Sequence, residues 1–192
     1  MPRRKKAKYA LYTPEALPLQ EQFKGEVVRK QFKFPKELGE EHPFDFSQTE
    51  ELYKRFGFVT GVVDKYVDFI VGPGFYVKSK DPKAQTLIEQ FLQDVNFDTL
   101  LRHWVKEALV KGNGFMELGG GRNESVKGLK VLNANHMYIQ RDKKGVVQRY
   151  FQYIGETNRF DRNKLIEFEP YQIAHIAFNR IGDCPYGYGI VY

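Results

Sequence analysis

The ten residues Leu109–Leu118, LVKGNGFMEL, mark the point at which the chain changes from helical to strand periodicity. Upstream, apolar residues recur at spacings of three and four, which predicts an amphipathic helix ending at Lys111-Gly112, a cation followed by a glycine. Downstream of Gly114 the pattern becomes that of short strands separated by turns. The helical stripe consists of Phe97, Leu100, Leu101, Trp104, Val105 and Ala108.

A longer helix is predicted further upstream, from about Gln48 to Val71. Ser47 followed by Glu50 matches a capping box, and apolar residues then recur at helical spacing. Gly72-Pro73-Gly74 ends this helix, because proline interrupts the hydrogen-bond ladder and glycine accepts a positive φ. The face predicted to be buried bears Phe56, Val63 and Ile70.

Another helix is predicted between these two. Phe75–Val77 reads as a brief strand, and Pro82 then occupies a first-turn position that favours helix initiation. Asn96 or Asp98 can cap the helix that follows it. The apolar side of the Pro82 helix carries Leu87, Ile88, Phe91, Leu92 and Val95.

The second half of the chain predicts a mainly antiparallel sheet. The glycine in Asp142–Gly145 is typical of a short hairpin loop, so the two strands that flank it should pair antiparallel. Three helices followed by a sheet indicate an α+β fold. The predicted strands are Phe115–Leu118, Leu129–Leu132, Met137–Arg141, Val146–Ile154, Leu165–Phe168 and Ile173–Phe178.

Charge divides the chain into an arm and a body. The formal net charge is +6, but residues 1–36 hold 10 of the 30 basic and 3 of the 24 acidic residues, a net of +7, which leaves −1 for the rest. Residues 1–46 are basic, contain five prolines and lack periodicity, which predicts an arm with a short strand at Val27–Phe34. Residues 47–192 are predicted to form one folded domain.

The first residues of the arm are candidates for non-specific contact with nucleic acid. The same basic run could instead bind an acidic partner surface, or remain a solvated terminus without a partner. Any DNA affinity would be independent of sequence and would weaken steeply with salt, and the neutral body should not bind. The residues are Arg3, Arg4, Lys5, Lys6 and Lys8.

Several site classes find little support in the sequence. The single cysteine, Cys184, excludes an internal disulfide and cannot form a thiolate metal site alone, a usage consistent with a reducing cytoplasm. The N-terminal residues lack the apolar stretch of a secretory signal, and Asp64, Lys65 and Asp68 interrupt the most apolar segment. The sequence therefore predicts neither a secretory signal nor a membrane span.

Two glycine-rich segments invite a phosphate-binding interpretation, because bare backbone N–H groups can cradle an anion. They are Gly112-Asn113-Gly114 and Gly119-Gly120-Gly121-Arg122. A P-loop needs a strand, GxxxxGK[ST] and a helix in that order, whereas the first segment ends a helix and the second ends a strand. Ordinary turn geometry is favoured, and a small nucleotide-binding domain or enzyme remains the alternative.

The titratable residues show no spacing that indicates catalysis. Glu167 and Glu169 share a strand face and could act as an acid–base pair, but a solvated strand edge explains them equally. His175 lies in an apolar strand pattern, which favours a structural role. The four histidines, His42, His103, His136 and His175, have no partner at the spacing that metal sites use. We therefore expect no enzyme activity, catalytic residue, metal ligand or cofactor site.

The order of these features resembles the wing domain of portal proteins of tailed bacteriophages. The chain departs from the family at Gly114, where alanine is usual, and at Ile190-Val191, where Ser-Pro is common; GGGRNES also lacks the usual arginine. The similar elements, in order, are Phe56–Gly74, Pro82–Asp94, Trp104–Leu118, Gly128–Asn133, Met137–Ile154, Ile173–Ile176, Asp183, and Tyr186-Gly187 or Tyr188-Gly189.

The resemblance implies a structural subunit of the portal ring at one capsid vertex, the conduit for DNA packaging and ejection and the head-tail junction. It implies self-association in a dodecameric-type ring, contacts with terminase, capsid and head-tail adaptor proteins, and double-stranded DNA in the channel. The implied location is the virion, with host cytoplasm during assembly. Family members continue into stem and clip segments, so we expect the chain to be the N-terminal part of a longer protein and, alone, mainly monomeric.

Overall fold

The computed structural model describes residues 33–122, 124–155 and 160–192. In the described part, helices come first and strands follow, which confirms the predicted α+β class. A strong turn signal marks the start of one helix, where the Asp81 side chain accepts from the Lys83 N–H and Pro82 stands at the first position. The helices are α1 (Phe46–Arg55), α2 (Gly57–Val71), α3 (Pro82–Asp94) and α4 (Phe97–Lys111).

The strands form two three-stranded antiparallel sheets. One has the order β2-β1-β6 and the other β3-β4-β5. The predicted hairpin is confirmed, since Met137 pairs with Gln152 and Ile139 with Tyr150. The strands are β1 (Asn113–Gly119), β2 (Gly128–Leu132), β3 (Met137–Arg141), β4 (Val147–Tyr153), β5 (Leu165–Phe168) and β6 (Ile173–Ala177).

Apolar side chains from both sheets share one core, and a second core lies among the helices. The first includes Phe115 of β1, Ile139 of β3 and the buried ring of Tyr186. The second joins α2 to α4. Burial of these side chains is the main source of stability in a body of this size.

The predicted single helix Gln48–Val71 is wrong, because the chain breaks at Phe56. Phe56 has φ −108° and ψ 102°, an extended conformation that separates α1 from α2. The next residue is glycine, which lowers the helical preference locally by about 1 kcal/mol relative to alanine. The Thr60 hydroxyl donates to the Tyr53 carbonyl at 2.5 Å and so satisfies a group that the break frees.

The buried face of α2 also differs from the predicted one. Val63, Val67 and Val71 are buried, at a spacing of four, whereas Ile70 is exposed. Of Phe56, Val63 and Ile70, only Val63 lies fully in the core, and Phe56 is half-buried. The difference follows from the break, because α2 starts independently and turns the valine stripe toward α4.

The predicted strand at residues 75–77 does not form. A strand requires a neighbour to complete its hydrogen-bond ladder. The Phe75 ring instead packs edge-on against Phe97, with ring centroids 5.0 Å apart. This contact holds the connection between α2 and α3 against the start of α4.

Residues 34–46, assigned to the arm from their composition, pack against the sheets. The Phe34 side chain is 2% exposed and stacks on Tyr138 at 3.7 Å. The Glu40 N–H donates to the Ile139 carbonyl at 2.9 Å, at the edge of β3. The packed body therefore starts upstream of the predicted boundary between residues 46 and 47, because buried aromatic residues stand among the charged ones. Most of the predicted strand Val27–Phe34 lies outside the described residues.

Candidate functional site

The motif at Leu109–Leu118 meets the chain's last segment around one buried amide. The Asn113 side chain is fully buried. Its Oδ1 accepts from the Gly187 N–H at 2.9 Å and from His175 Nε2 at 3.1 Å. Its Nδ2 donates to the carbonyls of Lys111 at 3.2 Å and Gly187 at 3.1 Å. We call Gly112, Asn113, His175 and Gly187 the asparagine junction.

Close backbone approach explains the glycines of this junction. Gly112 has φ +78°, and a Cβ there would overlap the backbone of Gly187. A Cβ on Gly187 would overlap the carbonyl oxygens of Phe178 and Gly112. The Gly112 carbonyl itself accepts from the Phe178 N–H at 2.8 Å. The segment predicted as a possible phosphate loop is thus occupied by the protein's own backbone.

Tyr186 connects the junction to the segment 34–46. Its hydroxyl donates to the Glu40 carbonyl at 2.9 Å and accepts from the Ile139 N–H at 3.0 Å. Burial raises the pKa of the Tyr186 hydroxyl, which therefore stays protonated and able to donate. One side chain thereby holds residues 34–46, β3 and the last segment together.

Two of the predicted histidines are buried and make structural contacts. The His175 ring stacks on Phe115 at 4.2 Å, and burial lowers its pKa to about 4, with the Arg180 charge acting in the same direction. His42 Nε2 donates to the Met137 carbonyl at 2.7 Å. Burial lowers the pKa of His42 to about 4, although its hydrogen bond to Met137 and the nearby Asp45 raise it in part. Both rings are neutral at pH 7.

Stability is expected to fall as pH drops from about 6.5 towards 4. Unfolded histidines titrate near 6.5, whereas His42 and His175 titrate near 4 when folded, so the unfolded state binds more protons in this window. Their contribution is complete above pH 6.5 and is lost progressively below it. Melting temperatures measured across this pH window test the prediction. His175→Gln should flatten the dependence of melting temperature on pH, whereas the exposed control His103→Gln should leave it unchanged. A wild-type melting temperature that does not vary with pH would contradict the prediction.

The other titratable candidates do not assemble into a catalytic or metal site. Glu167 and Glu169 each contact Arg149 Nη1, at 2.7 and 2.5 Å, so both carboxylates share one guanidinium in an ion-pair cluster. Burial lowers the pKa of His136, and His103 is exposed. Within residues 33–122, 124–155 and 160–192, no cluster of three or more His, Cys, Asp or Glu is placed to hold a metal ion.

The second glycine segment forms the turn between β1 and β2. The Lys127 N–H donates to the Gly119 carbonyl at 2.7 Å, and the Glu124 N–H donates to the Gly121 carbonyl at 3.0 Å. Gly120 has φ +151°, which favours glycine. This arrangement is the turn that the sequence favoured over a phosphate loop.

Cys184 and the basic run complete the sequence-derived candidates. Cys184 is half-buried at the edge of the sheet core, and its carbonyl accepts from Arg180 Nε at 3.0 Å. The basic run Arg3–Lys8 lies outside the described residues. No helix in the described part of the chain is long and apolar enough to cross a membrane.

A cavity of about 330 Å³ lies beside the junction, between β6 and the β3–β4 hairpin. Arg141 and Arg180 line it, together with His175 and Tyr150. The Arg141 guanidinium is already paired, through Nε at 2.6 Å to Glu40 and through Nη1 at 3.1 Å to Asp183. These two carboxylates neutralise Arg141 and reduce the attraction of the cavity for an anion.

A buried lysine network was not predicted. Lys111 Nζ lies 2.9 Å from carboxylate oxygens of both Glu50 and Glu107, and it donates to Asn133 Oδ1 at 2.9 Å. Desolvation raises the pKa of Glu50, but hydrogen bonds from Lys54 and Lys111 outweigh it and lower the value to about 2. The four-residue spacing of Glu107 and Lys111 in the sequence indicates an ion pair along one helix. The contact of Lys111 with Glu50 of α1 is long-range and has no such signal in the sequence.

The outward side of α2 is apolar and uncovered. Phe58 is 83% exposed, Phe69 75% and Tyr66 51%. These aromatic side chains together expose roughly 400 Å², within the size range of the largest apolar patch on a typical monomer, which is often functional. With the partly exposed Val62 they form what we call the α2 face.

The two carboxylates of α2 are bound by α4. Asp64 Oδ1 lies 2.8 Å from Lys106 Nζ and also accepts from the Tyr53 hydroxyl at 3.0 Å. Asp68 Oδ1 lies 2.5 Å from Arg102. Two of the helix's three charged residues are therefore paired along the flank that faces α4, and the third, Lys65, is exposed.

Comparison with known proteins gives only distant structural similarities. Neither the known family models nor the curated proteins contain a match to the chain. Among solved structures, a chain in the virion of a native gene transfer agent (GTA) particle has a TM-score of 0.42 and 21% identity, over 49% of this chain and 25% of that chain.

Two neck assemblies give similar values. A chain in the neck of the native GTA particle, with C12 symmetry, has a TM-score of 0.40 and 23% identity over 48% of this chain and 25% of its own length. A chain in the neck of the empty GTA particle, with C6 symmetry, has a TM-score of 0.39 and 21% identity over 47% of this chain and 24% of its own length. The matches thus span about a quarter of those chains.

Proposed function

We propose that this chain is a wing-like part of a portal subunit from a tailed phage or prophage, a non-enzymatic protein that contributes to the ring through which DNA is packaged and ejected. The observation that supports the proposal is the asparagine junction. The two stretches that carry the resemblance, Leu109–Leu118 and Phe168–Tyr192, lie about 50 residues apart and pack on each other through Asn113. Because the two stretches form one structural unit, a chain that has one of them is expected to have the other.

The uncovered α2 face supports the same proposal. Large exposed apolar patches on a soluble body are typical of surfaces that other protein subunits cover. A ring subunit is covered by neighbours on two sides, because heterologous contacts use two different patches of each copy. The exposed aromatics Phe58 and Phe69 are suited to such a contact.

The partners that the resemblance implies are proposed with this function. They are further copies of the chain, terminase, capsid and head-tail adaptor proteins, and double-stranded DNA in the channel. Location in the virion, after assembly in host cytoplasm, belongs to the same proposal. The alternative, a small nucleotide-binding enzyme, predicts that ATP with Mg²⁺ raises the melting temperature, because a ligand bound to the native state stabilises it; we expect no such rise.

Immunogold labelling of particles tests the function. Antibodies raised against the folded body should be applied to particles from cells that encode this chain, with an antibody against the major capsid protein as the control. A portal subunit occupies one vertex, so gold should lie at a single vertex where the tail joins the head. Gold distributed over the whole capsid, or absent from opened and intact particles alike, would contradict the portal assignment.

A further inference from the structure

Helix α3 has the same unusual exposure as the α2 face. None of its 13 residues, all of them described, is buried. Leu87 is 67% exposed and Ile88 is also exposed, although both belong to an apolar helical stripe. A 13-residue helix is marginal in isolation and usually depends on packing of its apolar side. Within the described body this side has little to pack against.

We propose that the α2 face of one copy packs against α3 of a second copy. Each chain carries one uncovered aromatic helix face and one uncovered aliphatic helix, so pairing them covers both surfaces without another kind of protein. Aromatic and aliphatic side chains gain from such contact by leaving water. Nucleic acid is a poor occupant, because the side chains of the face are apolar and Lys65 is the one cation on the helix, whereas binding to phosphates requires clustered lysine and arginine.

The exposed area indicates that one such contact is weak. The three aromatics of the α2 face offer roughly 400 Å², about half of the 800 Å² per partner in a standard stable interface. A single contact should therefore leave the chain mainly monomeric at micromolar concentration. Repetition around a closed assembly would make many weak contacts stable together.

The contact is heterologous, because it joins two different surfaces. Each bound copy keeps one unused α2 face or one unused α3, so further copies can add until a ring closes. This last step rests on the proposed portal function, whereas the α2–α3 contact itself does not. The two statements can accordingly fail separately.

Cysteine cross-linking of the full chain tests the contact. In a Cys184→Ala background, Phe69→Cys and Leu87→Cys chains of different mass are mixed at high concentration and treated with a short bismaleimide. The yield of cross-linked heterodimer should be at least about ten times the yield from a control mixture of Phe69→Cys with Val146→Cys, because the contact raises the effective concentration of the two thiols. Val146 is exposed on the β3–β4 turn, and melting curves should confirm that every variant is folded.

The possible results test the α2–α3 contact and the closed ring separately. A Phe69–Leu87 product no stronger than the control, or a predominant Phe69–Phe69 product, would overturn the α2–α3 contact and leave the portal proposal intact. A chain carrying both Phe69→Cys and Leu87→Cys should give a ladder of products above the dimer. Products that stop at a dimer would support the contact and overturn the ring.

Discussion

Val63→Asp is expected to remove the cooperative thermal transition. Val63 is 1% exposed and lies in the core with Val67, Val105 and Leu109. Burying a carboxylate without a partner costs several kcal/mol, which is comparable with the total free energy of unfolding of a domain, about 5–15 kcal/mol. Circular dichroism of the purified variant during heating measures the effect.

The matched control for this variant is Phe58→Asp on the same helix. Phe58 points outward at the other side of α2, so the new carboxylate stays in water and the melting temperature should change little. The pair separates loss of the core from a general intolerance of charge in α2. A Val63→Asp protein with the wild-type melting curve would contradict the buried valine stripe.

Asn113→Ala is expected to lower the melting temperature by at least roughly 10 °C. The change leaves the buried N–H of Gly187, the ring N–H of His175 and two carbonyl groups without their partner. Each such group costs about 1–3 kcal/mol, and each kcal/mol shifts the melting temperature of a body this size by about 2–4 °C. Differential scanning calorimetry gives the shift directly.

Asn113→Asp distinguishes the donor role of the amide from its size. The carboxylate keeps the shape and an acceptor oxygen, but it cannot donate to the carbonyls of Lys111 and Gly187, so it should destabilise at least as much as alanine. The exposed Asn163→Ala serves as control and should melt with the wild type. Equal melting temperatures for Asn113→Ala and wild type would show that the four hydrogen bonds contribute little.

Local pattern was sufficient for most of the fold. The predicted bounds of β3 and β5 match the structure, those of β4 differ by one residue at each end, and those of β6 differ by one residue at one end. These strands are bounded by glycine, proline or polar turns, whose conformational preferences act over a few residues. The start of α3 at Pro82 was predictable for the same reason.

Long-range contacts account for what the pattern missed. Phe34 stands among charges and prolines, and only its contacts with distant aromatic residues such as Tyr138 and Phe151 reveal that it belongs to the core. Glu50 reaches Lys111 across 61 positions of sequence. The role of Asn113 likewise depends on Gly187, so a lone asparagine between glycines indicated a turn and nothing more.

The strand order β2-β1-β6 affects how the chain can fold as it is synthesised. β1 pairs with β2 soon after both leave the ribosome, but its other edge has no partner until β6 has been made. During that interval an apolar strand edge is open to pairing with other chains, a known route to misassembly. The β1 edge is therefore completed only after β6 has been made, and the α4–β1 region cannot take its final form before synthesis has passed Gly187.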